Sequence, residues 1–360
     1  MSENRPVLGI SMGDPAGIGP EIAVKALSKT DIYHRCRPVV IGDARVINDA
    51  FRITGLNLKM NKITEIKDAR FISGTVDVLD LNNVDMDRLE YGKVSTMAGN
   101  AAYEAVKKVI ELAMEQKIDA TITGPINKES INLAGHHYSG HTEIYAHFTK
   151  TDDYAMMLAH GDFRVVHVST HVSLRQACDL VRKDRVLKVI KLAWEACRRL
   201  GIENPRIGVA GLNPHSGENG MFGWEEEREI IPAVNEAISL GLNAEGPVPP
   251  DSLFSKARGG WYDIAVAMYH DQGHIPMKVV GFEWNEGQKK WDAISGVNIT
   301  LGLPIIRSSV DHGTAFGKAG KGTASEQSLV NAIEYGIKLA VNKISIVRSC
   351  KSARITYYCR

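Results

Sequence analysis

Three histidines stand just past the ends of apolar runs: His171 closes "VVHVSTH", His215 follows "GVAGLNP" and His270 follows "AVAMY". No local spacing rule relates them, because long stretches of chain separate them. What they share is position. Imidazoles at equivalent strand ends would converge on one rim, and three of them make an open divalent-metal site with room for water or substrate. The competing reading of each is a loop histidine bonded to backbone. The stretch "YHDQGHIPMK" (269–278) adds Asp271, His274 and Lys278 to His270. His274 follows His270 at a helical ligand spacing, but Gly273 and Pro276 argue against a helix there. His167 shares strand parity with His171 and reads as a mid-strand core residue. His136, beside His137, reads as loop.

A second set of residues suits anions. "SGHTEIYAHF" (139–148) reads as a helix N-terminus, with Thr142 as cap and Glu143 in the first turn. Amide N–H groups there, with His141 and Thr142, suit a phosphate or carboxylate, and a plain capping motif is the alternative. Lys278, and Asn298 and Arg307 in "GVNITLGLPIIRSS", could clamp an anion, although a single such charge is more often a surface residue. Lys128 ends the run "ITGPINK". The stretch "SVDHGTAFGKAGKGTASEQS" (309–328) is rich in glycine and holds His312, Lys318 and Lys321, which lets backbone approach a ligand closely. Neither it nor "GDPAGIGPE" (13–21) matches G-x-G-x-x-G, so neither is a dinucleotide fingerprint of that kind.

These residues need elements to position them. "PVLGISM", "RPVVIGD", "DATITGP", "YAMMLAHG", "FRVVHVST", "RIGVAGLNP" and "YDIAVAMYH" read as strands. Helical patterns lie between them: "GIGPEIAVKALSK" with Pro20 at a first position, residues 96–117, residues 183–201, "EEEREIIPAVNEAISLG" and the closing "SEQSLVNAIEYGIKLAVNK". The alternation predicts an α/β fold with a largely parallel sheet, in which functional residues gather past the carboxyl ends of strands. With 360 residues and no repeat or low-complexity linker, two interlocked domains within 1–342 are expected, with undefined boundaries. Residues 343–360 carry five Lys or Arg and no acid, and read as a disordered or extraneous tail, or as a basic docking segment.

Composition excludes several classes. A net charge of +1 provides no field to recruit nucleic acid or an anionic membrane, so neither is an expected partner. No apolar run is long enough to span a bilayer, and the N-terminus lacks a secretory pattern, so a cytoplasmic location is expected. The five cysteines form no CxxC pair and indicate neither a disulfide framework nor a thiolate zinc site.

Taken together, "GISMGDPAGIGPEI", "TGPINKE", "SGHTE", "STHVSL", "GLNPHSGENG", "AMYHDQGHIPMK" and "GVNITLGLPIIRSSVDHGTA" resemble the 4-hydroxythreonine-4-phosphate dehydrogenase family of vitamin B6 biosynthesis. That family includes relatives acting on 4-phosphorylated threonate and erythronate. The resemblance runs in order from about residue 5 to 342. The loop "DHGTAFGKAGKG" is also similar to the cofactor loop of isocitrate and isopropylmalate dehydrogenases. The resemblance implies their two-domain α/β fold, with a cleft between domains and a non-Rossmann NAD site, and a homodimer whose subunits share active sites. It implies His171, His215 and His270 as metal ligands, and His141, Thr142, Lys278, Asn298 and Arg307 as substrate contacts. It places His312, Gly313 and Gly320 at the cofactor, NAD or alternatively NADP. The single divalent ion would be zinc first, with magnesium, manganese or cobalt as alternatives. His274 has neither role on this reading, and Asp271 could orient a ligand histidine.

The implied reaction is oxidation at C3 of a 4-phosphorylated four-carbon acid, followed by decarboxylation. The proton acceptor is open between Lys128 and Asp251; the alternative for Asp251 in "PPDSLF" is a cap after two prolines. A three-histidine metal-dependent hydrolase of a phosphorylated small molecule is the rival, and a non-catalytic binder of phosphorylated acids a third reading. One departure bears on the substrate. The segment 279–297, between two substrate-contact positions, is longer than the biosynthetic enzyme leads one to expect. It inclines the reading toward threonate or erythronate phosphate.

Overall fold

The five residues Val7–Ser11 form a strand, β1, buried along its whole length. It has no polar-out alternation because it lies inside a parallel sheet covered on both faces. In the computed structural model, which describes residues 5–281, 284–287, 289–291 and 296–353, β1 pairs in parallel with β2 (Arg37–Gly42) and β5 (Ala120–Thr123). The chain divides into two units, Met1–Asp152 with Leu303–Arg360, and Asp153–Gly302.

The first unit carries the strand order β3 (Lys59–Ile63), β4 (Thr75–Asp80), β2, β1, β5 and β14 (Arg307–Val310), with every pairing parallel. The Thr96–Met114 helix lies across this sheet. Its Val106, Val109 and Ile110 join Val39, Ile41, Ile144 and Tyr145 in one buried cluster. Each such side chain removed from water contributes about 1.5–3 kcal/mol. The closing Gln327–Ala353 helix packs on β5 and β14 and runs on into the basic segment.

The second unit has the order β13 (Val297–Leu301), β6 (Ala155–His160), β7 (Phe163–His167), β10 (Ile264–Ala267), β8 (Ile207–Ala210) and β9 (Ala244–Val248). The pairs β13·β6 and β6·β7 are antiparallel, and the rest are parallel. A two-residue turn at Gly161 and Asp162 joins β6 to β7, with Gly161 at φ +57° supplying the left-handed geometry such hairpins need. A short ladder pairs β11 (Trp284–Asn285) with β12 (Lys290–Trp291). Within the long segment 279–297 noted above, residues 282, 283, 288 and 292–295 lie outside the described residues. Among the described residues no helix is long and apolar enough to cross a membrane.

Two local expectations are corrected. Residues His270–Gly281 form a helix despite Gly273 and Pro276. Packing overrides propensity here: this helix lies on β6, β7 and β10, and its glycine is where the sheet comes closest. A Cβ at Gly273 would stand 2.3 Å from His167 Nε2 and 2.8 Å from Val165 Cγ1. The second correction concerns Thr142. The helix that contains it starts at His141, with Gly140 as N-cap and no side-chain cap bond. Thr142 is therefore a first-turn residue whose hydroxyl serves another partner.

Gly273→Ala tests the close approach. Helix propensity alone predicts a gain of about 1 kcal/mol, whereas overpacking costs about 1–3 kcal/mol. The expected net outcome is a lower Tm, measured by thermal denaturation; a raised Tm would show that the helix yields.

Candidate active site

The second unit gathers the histidines through its topology. Strands β7, β10 and β8 are adjacent and parallel, so their carboxyl ends share one edge. His171 follows β7, His270 follows the central β10, and His215 follows β8. The His171 and His270 ring centroids are 5.9 Å apart, and both residues line a cavity of about 510 Å³ with Ser173, Gln176 and Tyr269. His270 Nδ1 lies 2.6 Å from Asp271 Oδ1, a contact that orients the ring and leaves Nε2 as its other donor position. His274 stacks on His270 at 3.7 Å and 11°, and His167 lies 4.7 Å from His274. His215 lies at φ +52° in a turn, its ring centroid 6.4 Å from that of Phe222. Among the described residues no three His, Cys, Asp or Glu side chains converge to enclose a metal ion. The donor chemistry still fits an open divalent site, with two imidazoles facing across a cavity and the third at the neighbouring strand end.

Buried polar side chains hold this rim, and sequence reasoning passed over them. Gln272 ties two strand ends, since its Oε1 accepts from Met268 N at 2.6 Å and its Nε2 donates to Gly211 O at 2.8 Å. Glu226 is 1 % exposed, and its Oε1 accepts from Leu212 N and Asn213 N, each at 2.7 Å. That carboxylate fixes the turn that carries His215. The only sequence signals were a glutamine midway between His270 and His274 and one glutamate in an acidic run. Asp251 is exposed in the first turn of the Pro250–Arg258 helix, which packs against the His215 turn. Lys278 is half-buried on the His270–Gly281 helix. Asn298, on β13, has its Oδ1 buried without a hydrogen-bond partner.

The first unit gathers the anion set. Arg307 opens β14, is 3 % exposed, and donates from Nη1 to Thr142 Oγ1 at 3.3 Å and from Nη2 to Thr123 Oγ1 at 3.4 Å. Its Cζ lies 5.4 Å from the Tyr145 ring centroid. Burial lowers its pKa to about 10, so the guanidinium stays charged at neutral pH. His141 is held well below the usual histidine range, first by burial and then by the Arg307 charge. Its ring bonds the backbone of Gly124 and its Nε2 is buried without a partner. Lys128 opens the Lys128–Leu133 helix, and its Cε lies 3.8 Å from where a Cβ on Gly140 would sit. A buried cation and an unpartnered imidazole nitrogen at a helix start together make a site for an anionic group that also carries a proton donor.

Three loops border this set at the carboxyl ends of β1, β5 and β14. Asp14 N donates to Pro125 O at 2.9 Å, and Ile18 N to Thr314 O at 3.1 Å. Asp14 is fully buried, and its carboxyl is raised to about 6 by that burial. Its Oδ1 accepts from Ala16 N at 2.8 Å while Oδ2 is buried without a partner. Reading "GDPAG" for a fingerprint hid this acid. His312 Nδ1 bonds Gly313 O at 2.9 Å, and a Cβ at Gly313 would meet open space. Gly320, at φ +74°, lies against Tyr91.

The sequence profile of the family described as pyridoxal phosphate biosynthetic protein PdxA matches residues 34–336. This chain belongs to the PdxA family. A curated relative from Oceanobacillus iheyensis is 49 % identical over 343 residues, covering 94 % of this chain and 99 % of its own. The D-threonate 4-phosphate dehydrogenase of Cupriavidus necator is 47 % identical over 344 residues, covering 95 % of this chain and 100 % of its own. The crystal structure of a 4-hydroxythreonine-4-phosphate dehydrogenase from Burkholderia phymatum superposes with a TM-score of 0.80 at 46 % identity, covering 93 % of this chain and 98 % of that one. The family expected from the motifs is therefore the family found, and as a member of the PdxA family the protein is a dehydrogenase. Its fold is the large α/β sheet fold of that family.

The histidine string makes stability acid-sensitive. His167 is buried, donates from Nδ1 to Met156 O at 3.2 Å, and is lowered to about 3, chiefly by burial and next by His274. Between that value and the unfolded value of 6.5 the unfolded chain binds more protons, so stability falls as pH drops. From pH 7 to 5 this one group removes roughly 2 kcal/mol. Melts at pH 7, 6 and 5 should show a smaller loss for His167→Gln than for wild type; equal slopes would assign the acid sensitivity elsewhere.

Proposed function

We propose that the protein is an NAD-dependent, or alternatively NADP-dependent, dehydrogenase that oxidises C3 of a 4-phosphorylated four-carbon acid, with loss of the carboxylate as CO2. The observation that carries this reading is the buried Arg307 beside Thr142 and His141 at a helix start, in a chain related over nearly its whole length to a D-threonate 4-phosphate dehydrogenase. The preferred substrates are 4-phospho-D-threonate and 4-phospho-D-erythronate, in sugar-acid catabolism. 4-Hydroxy-L-threonine 4-phosphate, in pyridoxine biosynthesis, is the runner-up, favoured by the name of the Burkholderia relative.

Arg307 and the first-turn amides of the His141–Thr149 helix take the phosphate charge. Thr142 turns its hydroxyl to Arg307 and sets the guanidinium plane. His141 Nε2, neutral and unpaired, accepts a hydrogen bond from a substrate hydroxyl or a protonated phosphate oxygen. Lys278 and Asn298 hold the remaining polar groups of the substrate, Asn298 through its unpaired Oδ1. His171, His215 and His270 would hold a divalent ion, zinc first, with Asp271 fixing His270. Such an ion, when bound, would supply Lewis acidity toward a substrate hydroxyl, and the nicotinamide would supply the hydride acceptor. Both proton-acceptor candidates are exposed, and Lys128 is the better supported because it stands beside Gly140 and His141 in the anion set. His312, Gly313 and Gly320 belong to the cofactor loop. The working unit is a cytoplasmic homodimer with shared active sites. The hydrolase reading is not favoured, since the named relatives are dehydrogenases.

The decisive assay follows reduced nicotinamide at 340 nm with the two phosphorylated hydroxy acids and 4-hydroxy-L-threonine 4-phosphate side by side. Oxidation of a hydroxy acid, with CO2 released in equal amount, is the expected result; no reduced nicotinamide from any of the three refutes the reading. Arg307→Met should raise KM for the phosphorylated substrate, at a cost in kcat/KM of about 2–5 kcal/mol.

The metal assignment has its own check. Exhaustive chelation should abolish turnover, with recovery on adding a divalent ion. His215→Ala should remove stoichiometric metal, measured by elemental analysis, while leaving the Tm within a few degrees. Full metal content in that variant would exclude His215 as a ligand.

A further inference from the structure

The glycine-rich loop owes its shape to a distant part of the chain. The Gly19–Leu27 helix starts hard against the end of β1, where a Cβ on Gly19 would sit 2.1 Å from Met12 O. In its first turn Glu21 is 1 % exposed. Glu21 Oε1 accepts from Gly320 N at 2.6 Å, and Oε2 accepts from Gly322 N at 2.8 Å. One turn on, Lys25 Nζ donates to Gly322 O at 2.5 Å and to Ala324 O at 2.7 Å. Two side chains at i and i+4 thus hold four backbone groups of 320–324. The loop needs such restraint, because Gly320 and Gly322 sit at φ +74° and +67°. A buried carboxylate is costly unless its lone pairs are met; here two amide donors meet them, with an ammonium one turn away.

We infer that Glu21 and Lys25 are positioning residues for the dinucleotide, presetting the backbone of 320–324 before the cofactor arrives. The inference rests on the cofactor-loop reading given above. Its physical basis is entropy. Fixing the residues of a free loop costs conformational entropy, and a loop already held spends none of the binding energy on being ordered. The competing role is a staple that fastens the Gly19–Leu27 helix to the start of the closing helix. A staple would change Tm and leave cofactor affinity alone.

The test is titration of NADH and NADPH by fluorescence against wild type, Glu21→Gln, Lys25→Met and Lys25→Arg, alongside thermal melts. Lys29→Met, two residues past the end of that helix, breaks the Lys29–Glu326 ion pair and serves as control. Glutamine keeps the size but turns an amino group toward one of the two N–H donors. The expected result is a Kd about tenfold weaker for Glu21→Gln and Lys25→Met, as suits loss of a charge-assisted hydrogen bond. The KM for the oxidised cofactor rises with it while kcat changes less than about twofold. Lys25→Arg should recover most of the affinity, and Lys29→Met should match wild type. Should Glu21→Gln fail to fold, Lys25→Met decides. Wild type binding neither dinucleotide removes the cofactor reading and this inference with it. Tight binding by wild type and by both disrupting variants overturns the positioning role alone.

Discussion

Parallel pairing of β7, β10 and β8 is the constraint on which the candidate metal rim depends. A parallel strand delivers its carboxyl end to the same edge as its neighbours, so residues remote in sequence become neighbours at that edge. The same rule applied to β1, β5 and β14 brings together the Asp14, Lys128 and His312 loops. In both units the chemistry is carried by loops and the precision by strands.

Edges alone do not fix loops, and here buried polar side chains do so. Gln272 bridges the ends of β8 and β10, Glu226 holds the His215 turn, and Glu21 holds the glycine-rich loop. Each is a residue whose desolvation is offset by two or more backbone partners. Arg307 differs in kind. It is a buried cation that donates to two threonine hydroxyls and lies over the Tyr145 ring, with the acid Glu143 near enough to act on its charge.

Much of this was legible in the sequence. The buried strands read as continuous apolar runs, and the Thr96–Met114 and Lys183–Arg199 helices read from their period. The shared strand-end position of His171, His215 and His270 was visible because apolar runs stop just before each. The His270–Gly281 helix was missed, because Gly273 and Pro276 are breakers by propensity, and only the press of His167 against Gly273 explains the glycine. Thr142 was misread as a cap, because its real partner, Arg307, lies far along the chain. Asp14, Glu21, Gln272 and Glu226 carry little local signal, since a buried polar side chain and an exposed one look alike in a sequence.

The sequence by itself determined the secondary elements, the α/β class and the motifs that mark the family, because each depends on residues close together along the chain. Tertiary structure decided which of those residues meet. It placed Arg307 on Thr142, His270 against His274 and His171, and Glu21 under the amides of Gly320 and Gly322. It also divided the chain into one unit interrupted by another, with boundaries at Asp152 and Leu303. The physical reason is the same throughout: pairing register, burial and hydrogen-bond satisfaction act between segments of any separation, whereas periodicity and propensity act only within one.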